Sequence, residues 1–122
     1  MKVLIVEDDS LLVKMYSTKL QSLGVEVVIA EDGETAVQLV KSAKPDFVLL
    51  DIMLPKLSGL DALKLIRQSA GGKKLPVIIL SNLSNEKEKK EAEALQVKDY
   101  LVKADHTPSQ VVAKIQQHLK LT

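Results

Sequence analysis

The chain has 122 residues, seventeen Lys plus Arg against sixteen Asp plus Glu, and neither Cys nor Trp. That length can bury the core of one domain, while a net charge of +1 supplies no basic field for nucleic acid or an anionic bilayer. Tyr16, Phe47 and Tyr100 are too few aromatics for a base-stacking platform, and the lack of Cys removes disulfides, thiolate metal sites and thiol nucleophiles.

The first element is the apolar run Val3-Leu4-Ile5-Val6, which suits a strand buried on both faces of a parallel sheet. Leu12, Tyr16, Leu20 and Leu23 then share one helical stripe that stops at Gly24, with Asp9 placed to cap it. Val25-Glu26-Val27-Val28-Ile29 carries a charge within an apolar run, the mark of an edge strand. Asp32-Gly33 opens a second helix with Ala36, Val37, Val40 and Ala43 on its apolar face, ending before Pro45. Phe47-Val48-Leu49-Leu50 is the next buried strand. Ser58 and Asp61 resemble a capping box for a third helix, whose stripe is Leu60, Leu63, Ile66 and Ala70. Gly71-Gly72-Lys73-Lys74 reads as an exposed turn, since it lacks the spacing and the Ser or Thr of a phosphate-binding loop.

Val77-Ile78-Ile79-Leu80 is the third buried strand. The helix from Glu86 to Leu95 begins with an unbroken charged run to Glu91 and can bury only Ala92, Ala94 and Leu95, so it is weakly anchored and licensed to move. Lys98-Asp99-Tyr100-Leu101-Val102 is a second charged edge strand. Thr107, Pro108 and Gln110 signal the last helix, which turns Val111, Ile115 and Leu119 inward. His106 and His118 read as solvent-facing and receive no role. No run approaches a bilayer span, and Met1-Lys2 leads straight into the first strand without a signal-peptide pattern. A soluble cytoplasmic protein is expected.

Strand and helix alternate five times without a repeat, linker or low-complexity stretch. This predicts one α/β domain over residues 1–122, a doubly wound five-stranded parallel sheet of flavodoxin-like type in the order 2-1-3-4-5, with no effector domain attached. In that order ligands bind beyond the carboxyl ends of the first and third strands. Glu7-Asp8-Asp9 and Asp51 stand there. Converging carboxylates must raise their pKa values or recruit a cation, and oxygen donors without Cys or nearby His suit Mg²⁺. A plainer reading, with Asp9 a helix cap and Glu7, Asp8 and Asp51 ordinary strand-end residues, holds for Asp9 alone but needs several coincidences for the set. Ser81 and Lys103 follow the fourth and fifth strands onto the same rim, where a phosphoryl oxygen needs a donor and a counter-charge.

Taken together, Val3 to Asp9, Val48 to Pro55 with Gly59, Val77 to Ser81 and Asp99 to Lys103 make the chain resemble the receiver domain of bacterial two-component response regulators, of the single-domain chemotaxis or sporulation kind. The resemblance implies that Asp51 accepts a phosphoryl group from a phosphohistidine on a sensor histidine kinase or histidine phosphotransfer protein. It implies a Mg²⁺ ion held directly by Asp8, through water by Glu7, and by Asp51 and the backbone carbonyl of Met53. Ser81 and Lys103 would contact phosphoryl oxygens, and Ser81 with Tyr100 would form the switch that re-packs the fourth helix, fifth strand and fifth helix for an output protein. Such a chain catalyses only its own phosphorylation and dephosphorylation. It binds no nucleic acid or membrane directly and is a monomer or weak dimer.

Two departures from the family pattern carry expectations. Ala104 follows Lys103 where receivers usually place Pro after a cis bond. Although a non-proline cis bond costs about 3–4 kcal/mol, the rim's need for the ammonium favours a cis Lys103-Ala104 bond. Met53 and Leu83 stand where the family tunes dephosphorylation, and neither offers a carboxylate or amide to orient water, so a long-lived phosphoryl mark is expected. Among other readings, a haloacid-dehalogenase-type phosphotransferase would need an acid where Met53 stands, and Glu7-Asp8-Asp9 would repel the phosphate of a flavin nucleotide. The alternative of another class is a receiver-fold interaction module that works without phosphorylation.

Overall fold

The computed structural model describes residues 1–82 and 85–119. Strands β1 (Lys2–Val6), β2 (Glu26–Ala30), β3 (Phe47–Asp51), β4 (Val77–Ser81) and β5 (Asp99–Val102) alternate with helices α1 (Ser10–Ser22), α2 (Gly33–Ala43), α3 (Gly59–Gln68), α4 (Glu86–Ala94) and α5 (Pro108–Leu119). All strand pairs are parallel, and the order is β2-β1-β3-β4-β5, as the sequence predicts. β3 and β4 are buried along their whole length, whereas the edge strand β2 keeps Glu26 and Ile29 exposed.

Because strand side chains alternate between faces, the central strands feed two cores. Leu4, Val6, Val48, Leu50, Val77 and Ile79 pack with Ala36 and Val40 of α2, Leu63 and Ile66 of α3 and Ala92 of α4. Val3, Ile5, Phe47, Leu49, Ile78 and Leu80 pack on the other face with Tyr16 and Leu20 of α1 and Val111, Ile115 and Leu119 of α5. The helix starts are chemically sealed. Asp9 Oδ1 accepts the Leu11 and Leu12 amides at 3.0 and 3.3 Å. Ser58 Oγ accepts the Asp61 amide at 3.2 Å. Thr107 and Gln110 close a reciprocal box at 2.8 and 3.2 Å.

The structure corrects three details. α3 ends at Gln68, and Ala70 lies exposed in the short 3₁₀ turn Ala70–Gly72 rather than on the helix's apolar stripe. Leu23 and Ala94, read as inward-facing, are exposed as well. His106 and His118 are half-buried rather than solvent-facing: His106 Nδ1 lies 3.2 Å from the Val102 carbonyl oxygen, and the His118 ring is stacked on Phe47 at a centroid distance of 6.1 Å, because the last turn of α5 lies over the start of β3.

Candidate functional site

Four strands bring residues at or just past their carboxyl ends to one rim. Glu7 directly follows β1 and stays in the β1–β2 ladder through its amide, which donates to the Ala30 carbonyl at 3.1 Å. Its side chain is 1% exposed. Asp51, the last residue of β3, is 2% exposed and lies in register with Leu80 of β4. One carboxylate oxygen each from Glu7, Asp8 and Asp51 lies within 4.8 Å of the others, with Asp8 facing solvent. Asp9 points away to cap α1.

Buried carboxylates need compensation, and the chain supplies it in a definite pattern. Glu7 Oε2 accepts the amides of Asp8 and Asp9 at 3.1 and 3.4 Å. The Lys103 ammonium donates to Glu7 Oε1 at 2.6 Å and to Asp51 Oδ2 at 3.1 Å. Asp51 Oδ1 accepts the Met53 amide at 3.2 Å. Burial raises the Glu7 pKa, the neighbouring Asp51 adds to the rise, and the bond to Lys103 opposes both. For Lys103 burial works against the charged form, but the bond to Glu7 and the charges of Asp51 and Glu7 outweigh it, so its pKa is raised.

The Lys103-Ala104 bond is trans, since no described peptide bond is cis. The expected cis bond is therefore wrong, although the ammonium reaches the acids. Two facts account for both: a non-proline cis bond is costly, and the flexible four-carbon lysine stem spans the gap from the 3₁₀ turn Lys103–Asp105 that follows β5.

The other sequence-derived positions lie around this centre. Ser81 ends β4, 4% exposed and in register with Val102. Met53 is 64% exposed on the loop after β3, and its amide is tied to the Asp51 carboxylate. Tyr100 is half-buried against the α2–α4 core, and its hydroxyl is buried with no hydrogen-bond partner among the described residues. Leu83 lies outside the described residues. Gly59 entered the sequence reading only as part of the family resemblance, without a role; its absent side chain matters, because a Cβ there would overlap the Asp51 carbonyl oxygen and stand 2.7 Å from the Ile52 Cα. The Gly59 amide donates to the Ile52 carbonyl at 2.8 Å, so α3 starts directly behind the acidic strand end. Tyr16 was placed only on a core stripe. Burial raises its phenol to about 12, and the Glu7 charge adds to the rise, so it lies within the field of the acidic centre.

The donor set fits a hard dication. Three convergent carboxylates with one ammonium leave a formal excess of two negative charges, all available ligands are oxygens, and Asp8 opens the cluster to solvent. Among the described residues no helix is long and apolar enough to cross a membrane.

The family model described as the response regulator receiver domain matches residues 3–116. The alkaline phosphatase synthesis transcriptional regulatory protein PhoP of Bacillus subtilis is 33% identical over 119 residues, covering 98% of this chain and 48% of that protein. The chain thus spans about half the length of the curated relatives it matches first. Among solved structures, the Vibrio cholerae chemotaxis protein CheY4 superposes with a TM-score of 0.86 at 29% identity, over 95% of this chain and 96% of its own. The receiver domain of the Pseudomonas aeruginosa sensor histidine kinase PA1611, solved with magnesium coordinated in its active-site cleft, superposes with a TM-score of 0.83 at 28% identity, over 95% of this chain and 94% of its own. With a parallel 2-1-3-4-5 sheet, an acidic pocket at its switch point and a family match over nearly the whole chain, the protein belongs to the response regulator receiver domains of two-component systems.

Proposed function

We propose that this receiver accepts a phosphoryl group on Asp51 from a phosphohistidine of a sensor histidine kinase or a histidine phosphotransfer protein, and that the modified form signals to an output protein. The observation that carries this reading is the buried Asp51 carboxylate flanked by Glu7, Asp8 and the Lys103 ammonium at the sheet's switch point. Asp8, Asp51 and the Met53 carbonyl would hold Mg²⁺, with Glu7 acting through water. The ion, when bound, would neutralise charge on one phosphoryl oxygen. In the transfer an Asp51 oxygen forms the new O–P bond while the P–N bond to the donor imidazole breaks and its electron pair returns to nitrogen. Lys103 is already within reach of Asp51 and is placed to follow the charge onto a phosphoryl oxygen. Ser81, at the end of the neighbouring strand, would donate to another. The chain's own catalysis is thereby limited to gaining and losing this group.

Signalling follows if the inward pull on Ser81 re-packs α4, the least anchored helix, together with Tyr100, whose buried hydroxyl has no described partner to lose. No carboxylate or amide stands at Met53 to orient water, which supports a long-lived phosphoryl mark. The test is incubation with Mg²⁺ and a small acyl-phosphate donor, followed by mass. A gain of one phosphoryl group in the wild type, absent in Asp51→Asn, is expected. No gain would favour a receiver-fold module that binds partners unmodified.

A further inference from the structure

We propose that the start of α2 is the seat of the loop between β3 and α3, with Gly33 the positioning residue that sets where Met53 stands beside the acidic centre. This rests on the reading of Asp51 as a Mg²⁺-dependent acceptor. The loop has no regular structure between Asp51 and Gly59, and Met53, Pro55 and Lys56 are exposed. Its inner end is tied by the Met53 and Gly59 amides, and its middle bends sharply, with the Leu57 amide donating to the Pro55 carbonyl at 2.7 Å and Lys56 in the left-handed region at φ 66°. Its outer end rests on α2. A Cβ on Gly33 would overlap the Leu57 carbonyl oxygen, and it would stand 2.8 Å from the Leu57 Cβ and 2.9 Å from its carbonyl carbon.

Gly33 does not adopt the left-handed backbone that demands glycine; close approach is what requires it. The atoms it would strike are mostly backbone, so the loop itself must yield. A second contact supports the seat: Asp32, fixed as the α2 cap by the Thr35 amide at 2.7 Å, lies 3.7 Å from the Lys56 ammonium. Hydrogen bonding to Thr35 holds the Asp32 carboxyl below its ordinary pKa. Glu7, Asp8 and Asp51, by contrast, sit at or just beyond the ends of β1 and β3, and the atoms nearest a Cβ on Gly33 belong to Leu57 and not to them. A change at Gly33 should therefore move Met53 while leaving the three acids in place.

The experiment is calorimetric titration of the full chain with Mg²⁺ alone, together with the Mg²⁺ dependence of acyl-phosphate labelling. Gly33→Ala is expected to weaken Mg²⁺ binding by about tenfold, the scale of supporting-residue changes at metal sites, with the labelling rate recovering as Mg²⁺ is raised. A folded Gly33→Ala protein with wild-type affinity would overturn the proposal. Should that variant not fold, Lys56→Met discriminates: loss of the seat contact predicts about two- to fivefold weaker binding, whereas simple removal of a positive charge predicts tighter binding. Unchanged or tighter binding would overturn the proposal. If the wild-type protein itself bound no Mg²⁺, the reading of the acidic site would fall, and this inference with it.

Discussion

Helices α3 and α4 cover the same face of the sheet but are built from opposite materials. α3 buries Gly59, Leu60, Ala62, Leu63 and Ile66, and its first residue touches the backbone of the acidic strand end. α4 is the sequence Glu-Lys-Glu-Lys-Lys-Glu-Ala-Glu-Ala and buries Ala92 alone. Its firmest remaining tie comes from α3: Arg67 donates to the Leu95 and Gln96 carbonyls at 2.8 and 3.3 Å, and to those of Gly72 and Leu75 at 2.7 Å each. One helix is therefore a wall behind Asp51, and the other is a cover beyond Ser81 held by few contacts. A site that must fix its reactants yet pass on a change needs both materials.

This contrast can be broken by substitution. Leu63→Ala should cost about 2–5 kcal/mol by leaving a cavity under α3, while Lys90→Ala on the exposed face of α4 should stay within about 0.5 kcal/mol; chemical denaturation of both variants checks the difference. Arg67→Met comes next. It orphans four carbonyls, two just past α4 and two between α3 and β4, and should cost about 1–3 kcal/mol, with amide exchange accelerated at the carboxyl end of α4 and not in the middle of α3. Uniform acceleration would mean that α4 is not a separable unit.

An effect confined to alkaline pH lies across the sheet, where α1 tests the field of the acidic centre. Burial and then the Glu7 charge raise the Tyr16 phenol to about 12. A folded value above the unfolded one near 10 means that this stability is fully present below about pH 10 and lost as pH rises through about 12. Tyr16→Phe should thus lose less stability than the wild type over that window, as measured by denaturation at alkaline pH, and should match its slope below it.

Legibility from sequence followed the range of the interaction. The central strands were readable because burial on both faces forces unbroken runs of Val, Ile and Leu, and the helix starts because a cap spans only three residues, as at Ser58 and Asp61. Glu7, Asp8, Asp51, Ser81 and Lys103 could be placed on one rim because parallel topology sends every strand's carboxyl end to the same edge. What stayed hidden depends on residues far apart in the chain. Nothing local to Asp32-Gly33 announces Leu57, and nothing near Arg67 announces Leu95. The preference for a cis Lys103-Ala104 bond failed because it weighed the need for an ammonium at the rim without the reach of the lysine side chain.

The central claim is that Asp51, among all the acids of the rim, is the phosphoryl acceptor. Borohydride reduction of the labelled protein converts an aspartyl phosphate to homoserine, so peptide mass mapping after labelling locates the modified carboxylate. The account predicts homoserine at position 51 alone, formed only when Mg²⁺ accompanies the donor. Homoserine at Asp8 or Asp9, or equal labelling without the metal, would contradict it.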